Sequence, residues 1–201
     1  MKIGIFGGSF DPIHLGHLLL AETAREAGGL EQVWFNPAFQ SPLKTHEPRA
    51  TPRQRLEMLR LAVAGYPAFR VYDGEIKRKG VSYTVETLRS VAAENPDAEL
   101  FLIIGADSLA EFPRWHDPLG ILELAQVMAM NRSESTASLD PVQAALGAKV
   151  LPRFHLVQMP MIGLSSTALR ERVAAGNSIR FQTPRAIEQY IHQHRLYASE
   201  A

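Results

Sequence analysis

The chain has 201 residues, room for one α/β domain and too few for two large ones. Apolar residues make up 46%, Lys plus Arg and Asp plus Glu each count 21, and cysteine is absent. The charge balance argues against a whole-surface attraction to nucleic acid or anionic membrane, and the missing thiols exclude disulfides, thiol catalysis and cysteine zinc sites.

No apolar run is long enough to span a bilayer. The opening Met1-Lys2-Ile3-Gly4-Ile5-Phe6-Gly7-Gly8 reads as a first strand, not as a signal peptide. A cytoplasmic protein is expected, with no nucleic-acid and no membrane partner. In chain order, Lys2 to Phe6 forms a strand, and Leu15, Leu18 and Leu19 recur at helical spacing. Val33-Trp34-Phe35 is a second strand, stopped by Asn36-Pro37. A helix follows from about Pro52, carrying Leu56, Leu59 and Val63. Phe69 to Tyr72 is a short strand and Thr84 to Ala93 a helix. Leu100 to Ile104 is an unbroken apolar strand, as expected where both sheet faces are covered. Val127 to Met130 and His155 to Gln158 read as two more strands, separated by an exposed polar loop from Asn131 to Leu139. Thr167 to Ala175 and Pro184 to His194 close the chain as helices, the second with Thr183 as its cap. No internal repeat is visible.

Strands alternating with helices predict an α/β fold, a doubly wound parallel sheet with a small C-terminal helical part. Residues 1–201 are expected to form one domain, with 165–201 as a C-terminal helical subdomain. Ligands of such sheets bind beyond the C-terminal strand ends. The loops after Phe6, Phe35, Ile104, Met130 and Gln158 should therefore line one crevice.

The first of these loops is Gly7-Gly8-Ser9-Phe10-Asp11-Pro12-Ile13-His14-Leu15-Gly16-His17. Its glycines let backbone approach a ligand closely, and the helix that follows offers unpaired amides and a partial positive charge to an anion. His14 and His17, three apart, share a face of the first helical turn, placed to donate hydrogen bonds to phosphate oxygens. The string is neither G-x-G-x-x-G nor a P-loop. A zinc site would need a third ligand that the neighbourhood does not offer. Near the other end, Ile162-Gly163-Leu164-Ser165-Ser166-Thr167-Ala168-Leu169-Arg170 sets three hydroxyls at a helix start and an arginine one turn on. One hydroxyl suffices as a cap. Ser166, Thr167 and Arg170 together make a phosphate cradle.

The first string resembles the signature of nucleotidyltransferases that share the H-x-G-H motif, a signature related to the HIGH motif of class I aminoacyl-tRNA synthetases. The second resembles the I-S-x-T-x-x-R motif of the same superfamily, with Leu164 where isoleucine is usual. The resemblance implies a Rossmann-like nucleotidyltransferase fold. It also implies an ATP site built from Gly7, Gly8, Ser9, Phe10, His14, His17, Gly105, Asp107, Ser165, Ser166, Thr167 and Arg170. His14, His17 and Arg170 are its expected catalytic groups.

Further segments bear on the acceptor. Lys79-Gly80-Val81-Ser82-Tyr83-Thr84-Val85-Glu86-Thr87-Leu88 puts a Ser/Thr cap before a helix, which is either ordinary capping or a set of amides for a carboxylate. Asp107, in Gly105-Ala106-Asp107-Ser108, is a turn residue or a ribose acceptor. Trp115 is a core residue or a stacking surface. Arg132, just after a strand, and Lys44 are expected to reach a monoester phosphate. Together the segments resemble the bacterial nicotinate-nucleotide adenylyltransferases, from Lys2 to about Tyr190. That resemblance implies acceptor contacts from Tyr83, Thr84, Trp115, Arg132 and Lys44. Its Pro-Pro-His-Lys is Ser41-Pro42-Leu43-Lys44 here, with His46 close by.

The implied reaction carries the AMP part of ATP to nicotinate mononucleotide, giving deamido-NAD and pyrophosphate by direct in-line attack, without a covalent intermediate. Mg²⁺ is expected with the ATP and few direct protein ligands, so no metal-binding residue is named. A pantetheine-phosphate adenylyltransferase, a CTP-using enzyme and a non-catalytic nucleotide sensor are the alternatives. A homo-oligomer is allowed, and His155, His192 and His194 read as surface or packing residues.

Overall fold

The computed structural model describes residues 1–42, 47–131 and 137–199. Lys44, Arg132 and His46, and most of the expected loop after Asn131, lie outside the described residues. Six parallel strands form one sheet: β1 (Lys2–Gly8), β2 (Gln32–Pro37), β3 (Phe69–Val71), β4 (Glu99–Gly105), β5 (Ala125–Asn131) and β6 (Phe154–Gln158). Their order is β3-β2-β1-β4-β5-β6, so the chain reverses direction across the sheet between β1 and β4. The expected doubly wound sheet is present, and this reversal is where such sheets bind ligands.

Strand alternation divides the core into two layers. Phe6, Phe35, Phe101, Ile103, Met128 and Met130 face one side. There they pack on α1 (Leu15–Gly28), α2 (Pro52–Val63), α7 (Ser166–Ala174) and α8 (Arg185–Gln193). Ile3, Ile5, Leu100, Leu102, Ile104 and Val127 face the other, against α4 (Thr84–Glu94), α5 (Pro118–Leu124) and α6 (Asp140–Leu146). Each large apolar side chain buried this way contributes about 1.5–3 kcal/mol.

The long elements sit where periodicity puts them. α2 opens as expected, with Pro52 in its first turn and the Thr51 hydroxyl accepting the Gln54 amide. The short α3 (Gly74–Arg78), α5 and α6 were not anticipated. Three local expectations need correction. Asn131 belongs to β5 and not to a loop: it is buried, and its side-chain amide donates to Gln158 Oε1 across to β6 at 2.9 Å. Thr183 does not cap α8. The N-cap is Pro184, and the Thr183 hydroxyl donates to the Ile13 carbonyl at 2.9 Å. Neither does a Ser/Thr cap open α4: its N-cap is Tyr83, with no side-chain cap, and the Ser82 hydroxyl accepts the Phe39 amide at 2.9 Å. In the last two cases a tertiary partner outcompetes the local one.

Candidate active site

β1 ends in Gly7 and Gly8, and Phe6 lies opposite Ile103 of β4, so the first loop and the Gly105 turn leave the sheet side by side. At Gly8 a Cβ would stand 3.0 Å from the Phe10 ring, whereas one at Gly7 would meet nothing within 4 Å. Gly8 is thus fixed by packing, and Gly7 leaves the crevice side open. The Phe10 ring itself is core: 2% exposed, at 5.4 Å from Phe6 and 5.1 Å from His17. Only its backbone, at a φ of 48°, is left to face a nucleotide.

α1 begins with a histidine pair. His14 is the N-cap, in extended conformation, and stacks on His17 with ring centroids 3.7 Å apart. The His14 amide donates to His17 Nδ1 at 3.3 Å. An acceptor Nδ1 puts the neutral ring's proton on Nε2, so His17 presents a donor from its far nitrogen. Gly16 makes the turn possible: a Cβ there would lie 3.0 Å from His14 Nδ1 and 3.6 Å from Leu164 Cβ. That second distance already brings the two sequence motifs together.

Direct bonds complete the junction. In α7, Ser165 is the N-cap and accepts the Ala168 amide at 3.1 Å. The Ser166 hydroxyl donates to the Pro12 carbonyl at 2.8 Å. Arg170 donates from Nη1 to the Asp11 carbonyl at 2.7 Å and from Nη2 to the Thr167 hydroxyl at 3.2 Å. The three hydroxyls therefore divide into a cap, a tie to the first loop and a brace for the guanidinium. The crevice rim thus combines a helix start, two imidazoles and a guanidinium, all suited to anionic oxygens.

Two residues that sequence reasoning did not single out hold this rim. The Asp11 carboxylate is buried and accepts the amides of Arg49 (2.8 Å) and Ala50 (3.0 Å). Arg55 of α2 is fully buried and donates to the carbonyls of Ser9 (2.8 Å) and Phe39 (3.3 Å). Burial pulls its guanidinium below the ordinary arginine value, partly offset by the charges of Asp11, Tyr197 and Glu75. Beside Ser9 a cavity of about 470 Å³ opens between Phe39, Gln40, Arg49 and Thr51.

Of the acceptor residues, Tyr83 and Trp115 pack against the core layer that carries α4 and α5. The Tyr83 and His116 rings lie 4.3 Å apart. Trp115 is half-buried against Phe112 at 5.5 Å, and its indole N–H finds no partner among the described residues. Asp107 is exposed at the end of the Gly105 turn. Under α4, the buried Glu75 accepts from Asn36 (2.6 Å) and from the Thr87 hydroxyl (2.5 Å), linking the end of β2 to the helix that Thr84 opens. His155 meets Gln126 Oε1 at 2.5 Å and the His194 ring lies tilted 4.2 Å from that of Tyr190, while His192 is exposed; none of the three is near the crevice.

Residues 5–172 match the cytidylyltransferase-like family. A probable nicotinate-nucleotide adenylyltransferase from Roseiflexus sp. (strain RS-1) is 45% identical over 195 residues, covering 97% of this chain and 97% of the relative. The chain belongs to the nicotinate-nucleotide adenylyltransferase family. A second relative so named, from Thermomicrobium roseum, is 41% identical over 196 residues, covering 98% of this chain and 91% of its own. In fold, the Plasmodium falciparum nicotinic acid mononucleotide adenylyltransferase complexed with NaAD superposes with a TM-score of 0.77, over 98% of this chain and 97% of that one, at 18% identity. As a member of this family the chain is a nucleotidyltransferase. The cytidylyltransferase-like match takes in both motif loops, from β1 to α7, and ends before α8. Among the described residues no helix is long and apolar enough to cross a membrane.

Proposed function

We propose that this chain transfers the adenylyl group of ATP to the phosphate of nicotinate mononucleotide, giving deamido-NAD and pyrophosphate, as a step of NAD biosynthesis in the cytoplasm. The observation that carries the reading is the junction of Arg170 and Ser166 with the backbone of Asp11 and Pro12, which sets the α7 cradle beside the histidine pair. One triphosphate can then meet both.

In this reading the triphosphate lies across the start of α1. His17 Nε2–H, His14 and Arg170 face its oxygens, with Gly7, Gly8, Ser9 and the Phe10 backbone beneath. Ser165, Ser166 and Thr167 hold Arg170 and the α7 end of the cradle. Gly105 and Asp107 serve the nucleoside. An acceptor phosphate oxygen attacks the α-phosphorus in line. The new P–O bond forms as the bridge to the β-phosphate breaks, and pyrophosphate leaves with the electron pair. The acceptor phosphate is already an anion, so no general base is needed, and catalysis is positioning plus neutralisation of charge on the leaving group. The nucleotide enters as its Mg²⁺ complex. Among the described residues no group of three His, Asp or Glu side chains is placed to hold a metal ion. The ion's ligands in this proposal are phosphate oxygens and water.

For the acceptor, the uncapped amides at Tyr83 and Thr84 receive the pyridine carboxylate, and Trp115 offers its ring face. Lys44 and Arg132 are proposed to meet the acceptor's phosphate. Pyrophosphate release with ATP or CTP, each offered nicotinate mononucleotide, nicotinamide mononucleotide or pantetheine phosphate, tests the reading. Fastest turnover with ATP and nicotinate mononucleotide is expected. Preference for CTP or pantetheine phosphate, or ATP binding with no product from any acceptor, would replace it.

A further inference from the structure

The Asp11 carboxylate has a third hydrogen-bond partner, from the far end of the chain. Tyr197, 186 positions away and itself 6% exposed, donates its hydroxyl to Asp11 Oδ1 at 2.7 Å. The tail that carries it is built around this contact. After α8 the Leu196 amide returns to the Ile191 carbonyl at 3.0 Å, and Ser199 donates to the Ala174 carbonyl at the end of α7 at 2.9 Å. Tyr197, between them, takes a φ of 64°, in the left-handed region that a side-chain-bearing residue occupies at a cost.

The bond matters because Asp11 has a competing partner. Arg170 Nη1 stands 3.8 Å from Asp11 Oδ2 while bonded to the Asp11 carbonyl. A buried carboxylate must satisfy its lone pairs. Two are met by the amides of Arg49 and Ala50 and one by Tyr197. Without the phenol, the Arg170 guanidinium, 3.8 Å from Oδ2 and with its Nε unpartnered among the described residues, is a charged donor beside the carboxylate, and drawing it onto that group would turn it from the crevice. A neutral donor is what this place needs, since it satisfies the oxygen and leaves Arg170's charge for another anion.

We propose that Tyr197 is a positioning residue for adenylyl transfer: its hydroxyl saturates Asp11 and so keeps Arg170 available to the phosphates of the nucleotide. The proposal rests on the reading of Arg170 as a phosphate ligand. The cytidylyltransferase-like match stops at residue 172 and does not take in Tyr197.

Tyr197→Phe removes the hydroxyl alone. Tyr190→Phe is its control, because Tyr190 donates to Glu57 from α8, away from the crevice. Each variant should lower the melting temperature by roughly 2–4 °C, the loss of one hydrogen bond in a chain of this size. Tyr197→Phe should raise the KM for ATP about fivefold and weaken calorimetric binding of ATP, and of pyrophosphate alone, to the same degree. The KM for nicotinate mononucleotide should stay within about twofold, and Tyr190→Phe should leave all these constants within about twofold. Unchanged ATP and pyrophosphate affinities in Tyr197→Phe overturn the proposal. So does an equal rise in both KM values, which marks a merely structural loss. Calorimetry needs no acceptor, so failure of the wild-type chain to use nicotinate mononucleotide would sink the proposed acceptor and leave the tyrosine still tested.

Discussion

His17 and Arg55 show how differently two residues can be read from a sequence. His17 carries its chemistry in its type: an imidazole three places after another, at the start of a helix behind two glycines, has few uses besides meeting an anion. The structure adds the tautomer, because Nδ1 is occupied by the His14 amide and the donor must be Nε2. If that donor strengthens as charge grows on the leaving pyrophosphate, His17→Ala should lower kcat by about 10²–10³. The KM for ATP should change by less than about threefold, since the lost interaction belongs mainly to the transition state. Steady-state kinetics check it, and a variant that changes only KM contradicts it. Arg55 carries no such signal. In Pro52-Arg53-Gln54-Arg55-Leu56 it looks like any solvated helix arginine, yet it is fully buried, tying the Ser9 and Phe39 carbonyls together. Arginine is so rarely buried that only the fold could reveal it. Asp11 lies between the two cases. It is visible in the first loop, but its partners come from residues 38 to 186 positions away.

Among the elements, legibility followed length and burial. β1 and β4 were plain because both their faces are covered and the apolar run is unbroken. α3, α5 and α6 span five to seven residues and leave too few turns for a period to register. Caps failed where a hydroxyl had a better partner. Thr183 before Pro184 is a sound local cap, yet its hydroxyl crosses to the Ile13 carbonyl, and the Leu15 amide answers by donating to the Gln182 carbonyl at 3.0 Å. The loop before α8 therefore braces the start of α1, not the start of its own helix. Thr183→Val, nearly isosteric, should cost about 1–2 kcal/mol in urea unfolding by stranding a buried carbonyl. It should also lower kcat/KM for ATP more than for the acceptor. A stability loss with no kinetic change would show that α1 does not need this brace.

At the scale of the molecule, ends distant in sequence close one site. The order β3-β2-β1-β4-β5-β6 sets the β1 and β4 loops together, and α7 with the C-terminal tail folds back over the first loop. The sheet was legible because strand–helix alternation dictates it. The tail's latch was not, because one tyrosine near a terminus has no period and no motif. Three tyrosines shape the response to alkali. Burial first, and then the Glu57 and Glu94 carboxylates, push the Tyr190 and Tyr72 phenols up to about 12 from an ordinary 10.0. Burial and the charge of Asp11 raise Tyr197 as well. The unfolded chain gives up these protons first, so the folded state binds more of them above pH 10. Their stabilisation should be complete below about pH 10 and fall as the pH rises through about 12. Urea unfolding at stepped pH should show that decline, with a shallower one in Tyr190→Phe; a flat profile to pH 12 would refute it. The most direct test of the whole reading is a titration with a non-hydrolysable ATP analogue, following the side-chain nitrogen resonances of His14, His17 and Arg170. One saturation curve shared by all three is the expected result. A silent Arg170, or one that saturates at a different concentration from the histidines, would contradict a single triphosphate held between them.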